Sequence, residues 1–284
     1  MIVPVPMLVS LIMVAAIVPP LAAAAQAPPV VAPPRPEAIA DNSFLIEEAY
    51  NQEPGVSQFI FNFIRIRPEG SWLMSMTNEW PVPGMRHQFS YAIPFAAGTS
   101  MRDGVGDIQL NYRFQALEES RTGVAFAPRF SISVPTGDAE RGLGVGATGY
   151  QVGLPFSKRL GNQFAAHVNL GATVWPGVRI DGLGEDARAT LAAATQGGSV
   201  IWLVSPVLNV FVECAALQAQ LATDAGDVRW GHQLLVNPGV RAAVNTTAGQ
   251  LVLGVSAPIG VTADSPETSV FLYLSWEMPV WRPR

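Results

Sequence analysis

Among its 284 residues the chain has one cysteine, Cys214, and one lysine, Lys158. A single thiol excludes an internal disulfide and every multi-cysteine zinc or iron-sulfur site, so the fold is held noncovalently. Charge of either sign is scarce: 14% of residues are Asp, Glu, Lys or Arg, where a soluble domain carries about 25%. The formal net charge of -5 leaves no basic surface to release counterions from a phosphate backbone, which excludes nucleic acid as a partner. Long hydrophobic runs are missing too. No stretch after residue 56 reaches the roughly 18 consecutive apolar residues of a membrane helix, although hydrophobic residues make up 49% of the chain.

The N-terminus reads as an address. Residues 7–18 are a short apolar run, closed by Pro19 and Pro20 and followed by Ala22, Ala23, Ala24 and Ala25, the small-residue pattern a signal peptidase needs. Residues 1–25 are therefore expected to be a cleaved export signal. An anchoring helix is the alternative, but the run is shorter than the roughly 20 residues of a span. Residues 26–42, rich in Pro, Ala and Val, read as a flexible leader that forms neither helix nor central strand. Residues 43–55 form a periplasmic N-terminal segment. Phe44, Leu45, Ala49 and Tyr50 lie near helical spacing, so a short helix at the periplasmic mouth is the expectation, although Ile46 stands where a capping box needs an acid or amide. Whether this segment enters the interior stays open.

From residue 56 to 284 the apolar residues alternate. Ile108, Leu110, Tyr112, Phe114 and Ala116 fall on one face, and Asp107, Gln109, Asn111, Arg113 and Gln115 on the other. Such a period of two means a strand with unlike faces. The pattern recurs through Val124, Phe126, Phe130, Ile132 and Val134, through Phe164, Ala166, Val168, Leu170, Ala172 and Val174, and through Val270, Leu272, Leu274, Trp276 and Met278. Weaker versions start near Val56, Ser71, Met85, Ala147, Ser199, Val207, Gln233 and Gly249. The sum is about twelve strands of about ten residues, joined by alternating short and long links, which is the signature of an all-β transmembrane antiparallel up-and-down β-barrel of the outer-membrane type.

A soluble sandwich would show the same alternation, so the polar face decides. It consists of Gly, Ser, Thr, Asn and Gln, with four acids, Glu79, Asp107, Glu213 and Glu277, balanced by four bases, Arg86, Arg113, Arg129 and Arg241. An arginine on the lipid side costs roughly 2–4 kcal/mol at the midplane, which turns these groups inward. They become the expected pore-lining set, with Gln88, Asn111 and His167 as neutral polar members. Trp72, Trp80, Tyr91, Phe95, Tyr112, Phe114, Phe126, Tyr150, Phe156, Phe164, Trp276 and Trp281 lie toward strand ends, where aromatic rings meet lipid headgroups. Cys214 shares the parity of Val210 and Val212 and reads as an inert buried or lipid-facing thiol.

Several segments resemble a known family. Residues 47–56 (EEAYNQEPGV), 78–83 (NEWPVP), 87–91 (HQFSY), 104–107 (GVGD) with 110–113 (LNYR), 133–137 (SVPTG) and 201–206 (IWLVSP) are similar to bacterial outer-membrane proteins related to the meta-pathway phenol-degradation proteins, described as transporters. The resemblance runs from about residue 47 to 276. It implies an outer-membrane barrel and uptake of small organic molecules, aromatic ones among them. It carries no catalytic residues.

Other motifs lead elsewhere. Gly144, Gly146 and Gly149 have the spacing of a dinucleotide fingerprint, but a strand rather than a helix is expected after them. His87, His167 and His232 are widely separated, so no metal site is expected from them, and neither has a serine two residues away for nucleophilic work at His87 or His167. Asp103, Asp138, Glu140, Asp181, Glu185, Asp186, Asp224, Asp227, Asp264 and Glu267 fall in the long loops with Arg102, Arg141, Arg179, Arg188 and Arg229, as a solvated loop surface or a bridge to lipopolysaccharide through divalent cations. The expected protein is not an enzyme and holds no cofactor. Its expected partners are outer-membrane lipid and lipopolysaccharide, the barrel-assembly machinery during biogenesis and a small solute, after export through the periplasm. A barrel enzyme acting on lipids, or a closed barrel that only binds or anchors, are the rival readings, and at about twelve strands the interior is either open or plugged.

Overall fold

The computed structural model describes residues 39, 43–67, 70–82, 84–98, 101–180, 187–222 and 227–280. The export signal, all of the leader except Ile39, Trp281, and the loop acids Asp181, Glu185, Asp186 and Asp224 lie outside the described residues. The strands are β1 (Val56–Arg67), β2 (Trp72–Pro81), β3 (His87–Gly98), β4 (Met101–Val105), β5 (Ile108–Phe114), β6 (Ala125–Phe126), β7 (Arg129–Val134), β8 (Gly149–Leu160), β9 (Phe164–Arg179), β10 (Arg188–Ser205), β11 (Leu208–Ala222), β12 (Val228–Thr246), β13 (Gly249–Ser256), β14 (Ile259–Gly260) and β15 (Thr268–Pro279). A four-residue helix, α1 (Glu119–Thr122), sits between β5 and β6.

Every pairing is antiparallel and the sheet closes on itself, because β1 pairs with β15 through all twelve of its residues. The result is a closed twelve-stranded barrel. Three of the twelve strands are broken. β4 and β5 both pair with β3, β6 and β7 both pair with β8, and β13 and β14 both pair with β12. The breaks fall at Gly106 and Asp107, at Ala127 and Pro128, and at Ala257 and Pro258, and in the last two a proline cannot donate to the ladder.

The faces are inverted relative to a soluble protein. Outward-facing Val168, Leu170, Val200, Trp202 and Leu272 are each 45–50% exposed, while inward-facing His167, Asn209, Glu213, Asn237 and Arg241 are 2% exposed or less. Hydrocarbon is the medium that stabilises such an exterior. Of the aromatic residues assigned to strand ends, Trp72, Phe95, Tyr150, Phe164 and Trp276 are exposed on it, and Cys214 is exposed too. The interior is less uniformly polar than the alternation implies. Ile60, Ile64, Ile66 and Leu73 point inward from β1 and β2, and Trp175, Val178, Leu191 and Leu217 form a second buried apolar cluster where β9, β10 and β11 approach their connecting loops.

The barrel has a turn mouth and a loop mouth. β10–β11 and β12–β13 are joined at the turn mouth by two-residue links, and the 135–148 link crosses the loop mouth. The long links expected at 176–198 and 218–232 are mostly strand, because β9 and β11 run on to Arg179 and Ala222 and β10 and β12 begin at Arg188 and Val228. Residues 189–198 of β10 are mostly Ala, Thr and Gly, which alternate too little in size to show a period of two.

Candidate functional site

The functional features of the molecule converge on residues 43–52. No helical turn forms there; the segment bends four times and lies inside the barrel. Ile39 donates its N–H to the Pro206 carbonyl at the turn mouth, and β1 begins at the same mouth, so the segment enters and leaves by one opening. We call it the strap.

Apolar packing fixes one end of the strap. The Phe44 ring stacks on Phe271 and Tyr273 with centroids 5.0 and 4.8 Å away, and meets Phe211 edge-on at 4.7 Å. Gly254 makes room for it, since a Cβ there would come within 2.3 Å of the Phe44 ring. Ile46 occupies a similar recess, its Cδ1 2.6 Å from where a Gly197 side chain would start.

The strap backbone is held by wall side chains. The Glu213 carboxylate accepts the N–H groups of Leu45 and Ile46 at 3.1 Å and the Asn237 amide at 2.6 Å. Asn169 clamps Glu47 from both sides, accepting its N–H at 2.6 Å and donating to its carbonyl at 2.7 Å. Ser157 accepts the Ala49 N–H at 2.7 Å. Arg113 donates to the carbonyls of Glu48 and Tyr50 and to the Asn51 side chain. Gln115 accepts from the Asn51 N–H and donates to the Ala49 carbonyl, and Gln88 accepts the Gln52 N–H at 2.7 Å while donating to Glu79. The Gln52 side chain reaches Gln58 and, at 3.4 Å, Glu277. Tyr50 donates to Glu119 on α1 at 2.7 Å, and burial together with that carboxylate holds its phenol well above the usual range, so it stays a donor.

Two strap acids complete the set. The Glu47 carboxylate bridges Arg113 and Arg129, with each oxygen 3.0 Å from its own guanidinium. Glu48 faces Arg241 at 3.4 Å and His167 at 3.8 Å.

Of the residues expected to line a pore, Gln88, Arg113, Arg129, His167, Glu213, Arg241 and Glu277 face inward and touch the strap, and Glu79 acts behind Gln88. Asn111 also points inward, donating to Ser90 at 3.1 Å. Two differ from expectation. Arg86 lies in the turn before β3, exposed, with its guanidinium 5.6 Å from the Phe114 ring, because the chain leaves strand geometry at Pro81 and regains it at His87. Asp107 sits in the β4–β5 break and accepts the N–H groups of Gly137 and Val145 at 3.0 and 2.8 Å, anchoring the 135–148 link across the loop mouth. Gly144 is required there, since a Cβ would fall 2.3 Å from the Asp107 carboxylate.

The structure supplies one pair that spacing alone did not. Ser157 and His167 are register partners on β8 and β9, with Oγ 2.7 Å from Nδ1. The same Oγ receives the Ala49 N–H, and both residues are 2% exposed beneath the strap, so no substrate reaches them in this arrangement. Gly149 begins a strand, as expected, which leaves no helix N-terminus for a pyrophosphate. Among the described residues no cluster of His, Cys, Asp or Glu has the grouping of a metal site.

Beside the strap remains a lumenal cavity of about 140 Å³. Phe44, Ile60 and Tyr273 form part of its apolar lining, and Asn62, Asn111 and Arg129 part of its polar lining. The buried Asn62 Oδ1, Asn111 Oδ1 and Arg129 Nε have no hydrogen-bond partner among the described residues.

Among solved structures the chain is similar to an outer membrane channel from Pseudomonas putida F1, at 14% identity over 81% of this chain and 97% of that one, with a TM-score of 0.56. It is also similar to the NanC porin, at 8% identity over 78% of this chain and 98% of that one, with a TM-score of 0.52. No family model and no curated protein matches the chain. At these identities the likeness establishes the fold, which is that of an outer-membrane β-barrel.

Proposed function

We propose that this barrel sits in the outer membrane, with its turn mouth and strap toward the periplasm, and passes small organic solutes through a lumen whose bore the strap sets. The observation that carries this reading is the cavity of about 140 Å³ between the strap and a wall that is part polar and part apolar. Cavities of about 150 Å³ accept benzene, so a single-ring molecule matches the space, in agreement with the sequence resemblance to barrels linked to phenol breakdown. Selection would follow from size and from the polar groups on the cavity wall rather than from chemistry. The expected surroundings are outer-membrane lipid and lipopolysaccharide, reached after export and insertion by the assembly machinery.

The depth to which the strap fills the lumen favours a second reading, a closed barrel that binds or anchors. Swelling of proteoliposomes distinguishes the two. Single-ring solutes are expected to enter slowly and disaccharides not at all, with entry faster in a Phe44→Ala variant that loosens the strap. No entry of any solute in either protein would favour the closed barrel. A lipase assay on Ser157→Ala and His167→Ala tests the enzymatic rival; turnover lost in both would overturn the channel reading.

A further inference from the structure

We propose that the strap is a built-in occupant of two carboxylate subsites on the lumen wall, and that small organic carboxylates are the solutes that displace it. The proposal rests on the channel reading for its transport meaning, but the subsites stand on geometry alone. Three arginines from three different strands, Arg113 on β5, Arg129 on β7 and Arg241 on β12, converge on two consecutive acids, with the His167 ring of β9 3.8 Å from Glu48. The strap backbone is anchored by Asn169, Gln88, Gln115, Ser157 and Glu213, and by Arg113 as well. Beyond that anchorage, Arg129 and Arg241 face the strap carboxylates, and desolvating such charges is costly unless a matching anion is at hand. The wall therefore has the chemistry of a carboxylate receptor, and the strap fills it.

The two subsites differ in access. Glu48, Arg241 and His167 are enclosed, with side chains 8% exposed or less, whereas Glu47 and Arg129 are 19% and 24% exposed and both line the cavity. Arg129 Nη1 is engaged by Glu47 and Nη2 by Gln151, and its buried Nε has no partner among the described residues. A carboxylate entering the cavity meets the Arg129–Glu47 pair directly and competes for the Glu47 position, while Phe44, Ile60 and Tyr273 receive its apolar body. The exchange swaps one carboxylate for another, so it is close to balanced. A tethered group acts at an effective concentration on the order of millimolar, and free carboxylates should act in that range and above.

The test follows strap release in the full-length protein. In a Cys214→Ser background, Ala49→Cys or Leu45→Cys places a thiol on the strap, and its reaction with a water-soluble maleimide is timed in detergent. Benzoate at tens of millimolar is expected to speed labelling several-fold at either position. Benzyl alcohol, and sodium chloride at matched ionic strength, are expected to leave the rate unchanged. Glu47→Gln with Glu48→Gln should raise the basal rate and remove the benzoate response, and Arg129→Gln should blunt that response. Labelling indifferent to benzoate at both positions overturns the proposal, even if swelling shows that solutes pass. A benzoate response without any solute entry keeps the subsites and sinks the channel reading instead.

Discussion

Arg241→Met removes the guanidinium that faces Glu48 at 3.4 Å, in a pair whose side chains are 1% and 8% exposed. Breaking one side of a buried ion pair costs about 3–5 kcal/mol, most of it from stranding the other charge. Urea unfolding in lipid vesicles should show a loss of that order, and adding Glu48→Gln should recover much of it. Equal midpoints for Arg241→Met and the parent would mean that water reaches the pair. Gly254→Val acts on the strap's other anchor. Its side chain would overlap the Phe44 ring, so the ring must leave, and limited proteolysis is expected to cut within residues 43–52 faster than in the parent. The inward direction of Arg113, Arg129, Glu213 and Arg241 was legible in the sequence from parity and the cost of an arginine in lipid. Their partners were not. Glu47 and Glu48 stand in a segment with neither a period of two nor a clear helical repeat, and the groups they meet lie between 65 and 193 positions further along the chain. The consecutive acids in an otherwise apolar stretch were the one available signal.

A strand in this barrel has one side in hydrocarbon and one in the lumen, and substitutions should read the two sides differently. Leu170 faces lipid midway along β9 and is 47% exposed. Leu170→Arg is expected to destabilise the barrel by about 2–4 kcal/mol if the site lies at the midplane. Asn169→Ala, one residue away and inward, should leave barrel unfolding nearly unchanged while loosening the strap; a similar penalty from both would mean that the two faces share one environment. Strands with large apolar residues on the outer face, such as β9 and β15, showed themselves in the sequence. The Ala-rich and Gly-rich first half of β10 did not, because its small side chains carry no contrast and its pairing with β9 and β11 is set by neighbours. The Ser157–His167 contact was hidden for a related reason: ten residues and a hairpin separate them, and only the register of β8 against β9 brings them opposite.

For the molecule as a whole, ring closure and lumen occupancy are separable. The β1–β15 seam is continuous and uses no strap residue, so Phe44→Ala should raise single-channel conductance several-fold in planar bilayers while leaving the strand signal in circular dichroism unchanged. Loss of that signal would show that the barrel needs the strap in order to form. The twelve-strand count and the inward polar face were readable from the sequence because the bilayer imposes one rule on every strand. The contents of the interior follow no such rule.

The strap's two ends also bear on how it would come out. Since Ile39 and β1 meet at the same rim, residues 43–52 form a cork on a short cord rather than a thread drawn through a bead. Withdrawal need not unzip a single rung of the wall.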